Sequence, residues 1–485
     1  MKTTLIRGCD VIAEDGQGSA LLRGGEVVIE GDRIAFVGRA WSGVANETIE
    51  AAGKVLMPGL VSTHAHISAQ ELQRSLVDTG ERQFLRSGFL HFTPARRDGR
   101  STPGDAAGSR ASMDWAFAAL LSHGVTTVLA FGPAEPDGGE AFLESAEQAG
   151  IRLAWSPTIS GGGYWLEEDG RVTPEINEAE GLRQLEATVE FAARQEGSLS
   201  GRLSPVISLD EYYASTPELR RACKQAAHEI GAPFTLHFLE QHREFFETMA
   251  RTGRTPVELL AEEGVLDPTT ILGHCIYVAS HKAINFPLVD DIAIMGASGV
   301  SVAHSPVAFA RRGICLESFD RYRDAGVNMT MGTDTYPFDG FAEMRMTAIG
   351  GKTADFNYEA AGSRAVFDAA TKGGARALGR NDLGRIEVGA KADLVLVDPH
   401  QIGFGPNLDI LKGLVHLGGQ AVVENVWVDG RLRVSGGRYL GADIRSLADR
   451  LDRAARDLDV QHASYDVQGR TFSERFPSAL PEWTG

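Results

Sequence analysis

The chain has 485 residues, 43% of them hydrophobic and 23% charged. That is the balance of a globular protein with a large core and room for two structural units. A formal net charge of −18 argues against nucleic acid or an anionic membrane as partner. No apolar run reaches the ~18 residues of a membrane helix, and Met1 to Ala13, interrupted by Lys2, Arg7 and Asp10, does not read as a signal peptide.

The four cysteines, Cys9, Cys223, Cys275 and Cys315, are scattered with no Cys-x-x-Cys pair. A disulfide framework or a thiolate zinc site is therefore not expected, and a reduced, cytoplasmic protein is.

In chain order, residues 1–57 read as β structure. Glu26 to Gly38 forms a hairpin pattern turning at Gly31-Asp32. Matching material returns near the other end, where Ala392 to Asp398 reads as a strand and Val422 to Val428 runs into Asp429-Gly430. Residues 1–57 and 391–440 are expected to close one small, discontinuous β-sandwich. Residues 441–485 supply a helical run, Ile444 to Leu458, and a polar tail.

Residues 58–390 alternate short apolar runs with helical stretches, the pattern of parallel βα units. The candidate strands are Val55–Ser62, Thr126–Phe131, Arg152–Ser156, Ser204–Leu209, Phe234–His237, Thr270–Gly273, Gly299–Ala303 and Val327–Gly332. The expected helices are Ser112–Ser122, Glu140–Ala149, Ala179–Gln195, Pro217–Ile230, Pro256–Glu263, Ile284–Ala297 and Ser318–Ala325. Eight such strands predict an α/β fold, a (β/α)8 TIM barrel whose site lies at the C-terminal strand ends. Two insertions are expected on that face: Ile67 to about Ala111, with Pro94, Arg96, Arg97, Arg100 and Pro103, and the glycine run Gly161-Gly162-Gly163, read as a hinge, before Tyr164 and Trp165.

The strand ends carry the chemistry. The first runs into His64-Ala65-His66, and residues two apart on a strand face the same side. The fifth, sixth and seventh end at His237, His274 and His304, and the eighth at Gly332-Thr333-Asp334. Five of the 13 histidines fall at these few positions, which points to a metal site. Glu240 lies three residues beyond His237, on the wrong face of a straight strand, so the chain must turn there. Glycine-rich anion loops after strands seven and eight, the mark of a phosphate-binding barrel, are missing.

With these residues in view the chain resembles the amidohydrolase superfamily, in its branch of cytosine deaminase and atrazine chlorohydrolase. It is also similar to phenylurea and molinate hydrolases. The motifs are Pro58-Gly59-Leu60 before His64-Ala65-His66, His237-Phe238-Leu239-Glu240, Gly273-His274, Ala303-His304-Ser305-Pro306, Gly332-Thr333-Asp334 and the return segment Gly384 to Leu394. The resemblance implies a metal-dependent hydrolase in which His64, His66, His237 and Asp334 hold one divalent ion, Zn2+ before Fe2+ or Mn2+. Glu240, His274 and Asp334 are its expected catalytic groups. Such an ion brings the pKa of water from near 16 toward ~7.

Substrate contacts are expected from His304, Tyr164, Trp165, Tyr336 and Phe338, whose aromatic rings suit an apolar or aromatic small molecule. Two reactions fit: hydrolysis of an amide, urea or carbamate-like carbon–nitrogen bond, placed first, and deamination of an amino-substituted N-heterocycle. Deaminases built on Pro-Cys-x-x-Cys are excluded. A homo-oligomer is expected.

Overall fold

The computed structural model describes residues 2–68, 74, 77–78, 106–133, 136–169, 171–195, 197–406, 408–464, 466, 468–481 and 483. Most of the insertion after the first barrel strand, with Pro94, Arg96, Arg97, Arg100 and Pro103, lies outside them. No helix among the described residues is long and apolar enough to cross a membrane.

The N-terminal end forms β1 (Thr3–Glu14), β2 (Ser19–Glu30), β3 (Arg33–Gly38), β4 (Glu47–Glu50) and β5 (Val55–Pro58). The apolar run expected as one strand, Val55–Ser62, is in fact two. Its first half is β5, and its second half opens the barrel as β6 (Leu60–His66). Gly59 makes the corner, because a Cβ there would lie 2.0 Å from Thr126 Oγ1. The short Pro-Gly break thus passes the chain directly from the terminal sheet to the strand that bears His64 and His66.

The barrel continues with β7 (Val125–Phe131) and β8 (Arg152–Ala154), followed by β9 (Gly162–Leu166) and β10 (Val172–Ile176), which stand outside it. Then come β11 (Leu203–Ser204), β12 (Ile207–Glu211), β13 (Phe234–Phe238), β14 (Thr270–His274), β15 (Ser301–His304) and β16 (Asn328–Met331). β11 and β12 are one barrel strand interrupted at Pro205, which has no N–H for the ladder. β11 pairs with β8 and β12 with β13, all parallel. At the seam β16 pairs with β6 through Met331 and Ser62. Eight parallel strands therefore close in sequence order around a buried apolar interior.

The C-terminal end returns as β17 (Leu394–Val397), β18 (Val423–Val428), β19 (Arg431–Ser435) and β20 (Arg438–Tyr439). β17 lies against β5, so both chain ends share one nine-stranded mixed sheet. Its own core draws Ile6, Val27 and Leu56 from one end and Leu394, Leu396 and Trp427 from the other. The β18–β19 turn, Asp429-Gly430, has both residues at positive φ (51° and 68°), the requirement of a type I′ hairpin.

The helices depart from expectation in several places. The stretch Ile284–Ala297 is helical only from Asp291, because Pro287 precedes it and the Asp290 side chain caps it by accepting from Ala293 N. Helices His242–Thr252 and Gly340–Asp355, which follow Glu240 and Asp334, were not anticipated. The glycine run before Tyr164 is no hinge. It enters a paired hairpin, with Trp165 opposite Thr173, and a Cβ on Gly162 would lie 2.1 Å from Glu175 O.

A buried charge cluster joins barrel to terminal sheet. Arg152, only 1% exposed, opens β8 and donates to Asp393 Oδ2 at 2.8 Å and Oδ1 at 3.1 Å, and to Asp429 in the β18–β19 turn. Asp393 Oδ1 also accepts from Asp429 N at 2.8 Å. Removing one partner of such a cluster strands the others without compensation. Arg152→Ala is expected to destabilise the protein by about 3–5 kcal/mol, measured as the shift in denaturant unfolding free energy.

Candidate metal centre

The donors come together because the ends of β6 and β16 are stitched. Thr333 N and Asp334 N both donate to His64 O at 2.9 Å, and His66 N donates to Asp334 O at 2.6 Å. Ser62 Oγ accepts from Thr333 N at 3.0 Å, and the hydroxyls of Thr63 and Thr330 meet at 2.5 Å. Asp334 Oδ1 ends 3.6 Å from His66 Nε2 and 3.8 Å from His64 Nε2. From β13, His237 Nε2 reaches to 2.9 Å from His66 Nε2. One donor atom each from His64, His66 and His237 lies within 4.8 Å of the others, and so do those of His64, His274 and Asp334.

Glycine makes room for this cluster. A Cβ on Gly273 would lie 2.9 Å from His64 Cε1 and Nδ1, and one on Gly332 would lie 2.8 Å from His64 Cβ. The Gly-His and Gly-Thr-Asp spacings are thus packing requirements of the His64 side chain.

The His64 ring is wholly buried, and neither its Nδ1 nor its Nε2 has a hydrogen-bond partner; His274 Nδ1 is likewise unpartnered. Burial, reinforced by the neighbouring imidazoles, holds His64, His66 and His274 well below the usual histidine range, so they are neutral and keep a lone pair. His237 Nδ1 hydrogen-bonds Asp210 O, which as an acceptor puts the proton on Nδ1 and leaves Nε2 as the donor atom. Unpaired buried imidazole nitrogens beside a carboxylate are the donor set a divalent cation satisfies, and the residues present fit one.

Glu240 reaches the cluster through a turn. Leu239 takes a left-handed φ of 52°, and the Glu244 carboxylate accepts from the backbone N–H groups of Leu239, Glu240 and Gln241 at 2.8, 3.1 and 3.1 Å. Burial, and then the charge of Asp334, push the Glu240 carboxyl up to about 8, so it is mostly protonated at neutral pH. Cys275 follows His274 with φ of 54°, and Asp334 has φ of 50°; these left-handed backbones aim side chains that straight strands would turn away. Cys275 itself is buried and unpaired.

Other expected site residues are placed less centrally. His304 is buried at the end of β15, its pKa lowered to about 3 by burial. Tyr336 is nearly buried beneath Arg311, whose guanidinium sits 4.1 Å from the ring centroid. Phe338 is fully enclosed in the main apolar core. Tyr164 stacks on Tyr213 at 4.1 Å between centroids, and Trp165 points to the other face of the hairpin.

Sequence reasoning passed over three groups. Glu244 was legible as a capping residue three positions after Gln241. Asp210 and Glu211 end β12; Glu211 Oε2 is buried without a partner, and burial plus the charges of Glu240 and Asp210 push its carboxyl well up. Arg311 and Arg312, after β15, carried no motif to mark them.

The amidohydrolase family model matches residues 55–433. Over 464 residues the chain is 28% identical to a 5'-deoxyadenosine deaminase of Methanosarcina mazei, covering 94% of this chain and 99% of that one. It is 26% identical over 451 residues to a 5-methylthioadenosine/S-adenosylhomocysteine deaminase of Desulfitobacterium hafniense, covering 90% and 94%. In fold it is similar to a zinc-bound adenosine deaminase of Xanthomonas campestris (TM-score 0.79, 22% identity, 94% and 98% covered) and to a zinc complex of an atrazine chlorohydrolase of Arthrobacter aurescens (TM-score 0.76, 24% identity, 93% and 100% covered). The chain belongs to the amidohydrolase family. It is a metal-dependent hydrolase that acts on carbon–nitrogen bonds.

Because the Gly273 position abuts His64, Gly273→Ala is expected to displace the ring and weaken metal affinity by roughly 10- to 100-fold, the size of perturbations to groups that orient ligands. Metal titration of the metal-stripped protein checks this.

Proposed function

We propose that the enzyme deaminates an amino-substituted N-heterocycle, replacing an exocyclic amine with oxygen and releasing ammonia. The observation that carries this reading is the buried Glu240 carboxyl, brought to the donor cluster by the left-handed turn at Leu239, where burial and the charge of Asp334 favour its protonated form. Hydrolysis at a ring carbon needs a proton delivered to the adjacent ring nitrogen, and a carboxylic acid that keeps its proton at neutral pH supplies it. The deaminases named above, aligned over nearly their whole length, support the same reaction class.

His64, His66, His237 and Asp334 would hold a single divalent ion, zinc first, with iron or manganese as alternatives. Its chemistry, when bound, is Lewis acidity that makes water nucleophilic at neutral pH. Asp334 would take the proton the water gives up. Glu240 protonates the ring nitrogen, and the departing amine leaves as ammonia once it has gained a proton. His274, neutral and with an unpartnered Nδ1, is placed to stabilise charge developing on the incoming oxygen. His304 and Tyr336 would contact the substrate.

Two results test the roles. Glu240→Gln is expected to keep the metal while lowering kcat by roughly 10²-fold or more; Asp334→Ala should lose both metal and turnover, read by elemental analysis alongside rate. Screening the metal-replete enzyme against ring amines, amides, ureas and carbamates decides the reaction. Ammonia from ring amines is expected; release of a larger amine from an amide or urea, with ring amines inert, would reverse the choice.

A further inference from the structure

The loop after β15 carries two arginines that make no ion pair among the described residues. His304 and Ser305 lead into a short helix, Pro306–Ala310, and then Arg311 and Arg312. The loop is docked on the site at two points. The Phe309 ring lies 4.5 Å from the His274 ring, and Arg311 Nη2 donates to Thr335 Oγ1, next to Asp334, at 3.0 Å. A third guanidinium, Arg74, lies 5.9 Å from the Tyr336 ring that Arg311 covers. Arg312 follows Arg311 directly in this docked loop, and its charge is felt by His66, Glu240, His274 and Asp334.

Both side chains are half-buried, yet among the described residues neither makes an ion pair, and the Arg312 side chain makes no hydrogen bond. Elsewhere this chain matches such arginines with carboxylates: Arg110 with Asp114, Arg152 with Asp393, Arg202 with Glu147 and Arg220 with Glu263. A partly desolvated guanidinium without a counter-charge is costly, and its fork geometry matches a carboxylate. A protein of net charge −18 repels anions at long range, so drawing one to the site needs such a local concentration of positive charge.

We propose that Arg312, with Arg311 held in place by Thr335 and Tyr336, binds a carboxylate on the substrate, so that the enzyme acts on an acid-bearing N-heterocyclic amine. This rests on the deamination reading for the heterocycle, while the anion site stands on the two arginines. A monoanion suits the site better than a phosphate dianion, because Asp210, Glu211 and Asp334 already stand among the same histidines.

The test is calorimetric binding to the metal-loaded full chain carrying Glu240→Gln, which suppresses turnover. The probes are aminopyrimidines, aminopurines and aminotriazines bearing a carboxylic acid, each paired with its methyl ester, together with simple aromatic carboxylates. The acids are expected to bind roughly 10- to 100-fold tighter than the esters, the range for a hydrogen bond to a charged group. Arg312→Gln should erase that preference, and Arg312→Lys, keeping the charge but not the fork, should retain part of it. Equal binding of acid and ester, a preference that survives Arg312→Gln, or no binding of any acid overturns the proposal. With the unmutated enzyme, an Arg312-dependent acid preference without ammonia release from any probe refutes deamination but leaves the anion site. Ammonia release without acid preference does the reverse.

Discussion

The constraint on which this structure turns is the burial of His64. A wholly enclosed imidazole whose two nitrogens find no hydrogen-bond partner is unfavourable in a closed protein interior, where unpaired polar groups cost free energy. The neighbours are arranged around that deficit. Gly273 and Gly332 clear space for the ring, His66, His237 and His274 crowd against it, and Asp334 brings the negative charge. A cation resolves all of it at once, because it replaces mutual crowding of lone pairs with shared coordination.

Holding that arrangement requires backbone that ordinary strands do not supply. Leu239, Cys275 and Asp334 each adopt a left-handed φ, at a cost on the order of 1–3 kcal/mol apiece. The surroundings over-determine them. Glu244 gathers three consecutive N–H groups around Leu239, and the His64 carbonyl accepts twice from the β16 loop. Rigid strands set the positions of the donors and strained turns set their aim, so the site combines a stiff scaffold with directed loops.

The charge balance of the cavity divides labour among its acids. Asp334 lies beside the imidazoles, and the charges of Arg312, His237 and Arg311 partly offset the burial that raises its pKa. Glu240, buried and facing the negative charge of Asp334, keeps its proton. Two carboxyl groups thus share one set of charges, and the proposed division between proton acceptor and proton donor draws on that difference in surroundings. Arg311 and Arg312 bring positive charge to the same acids while making no ion pair among the described residues, and an anionic ligand would balance what remains.

The barrel, and the gathering of histidines and an aspartate at one end of it, were legible in the sequence because both depend on local pattern. Short apolar runs alternating with helices encode strand order, and polar residues at strand ends encode the active face, so His64, His66, His237, His274 and Asp334 could be read as one constellation before any coordinates. Local pattern could not show that Val55–Ser62 splits at Gly59, since the clash with Thr126 that demands glycine comes from a strand distant in sequence. Nor could it show the Arg152–Asp393–Asp429 cluster, whose members meet only when both chain ends close on the barrel. The tertiary structure alone decided the aim of Glu240 and the lack, among the described residues, of an ion-pair partner for Arg312: the first follows from a left-handed turn held by Glu244, and the second from three-dimensional neighbours that no spacing along the chain records.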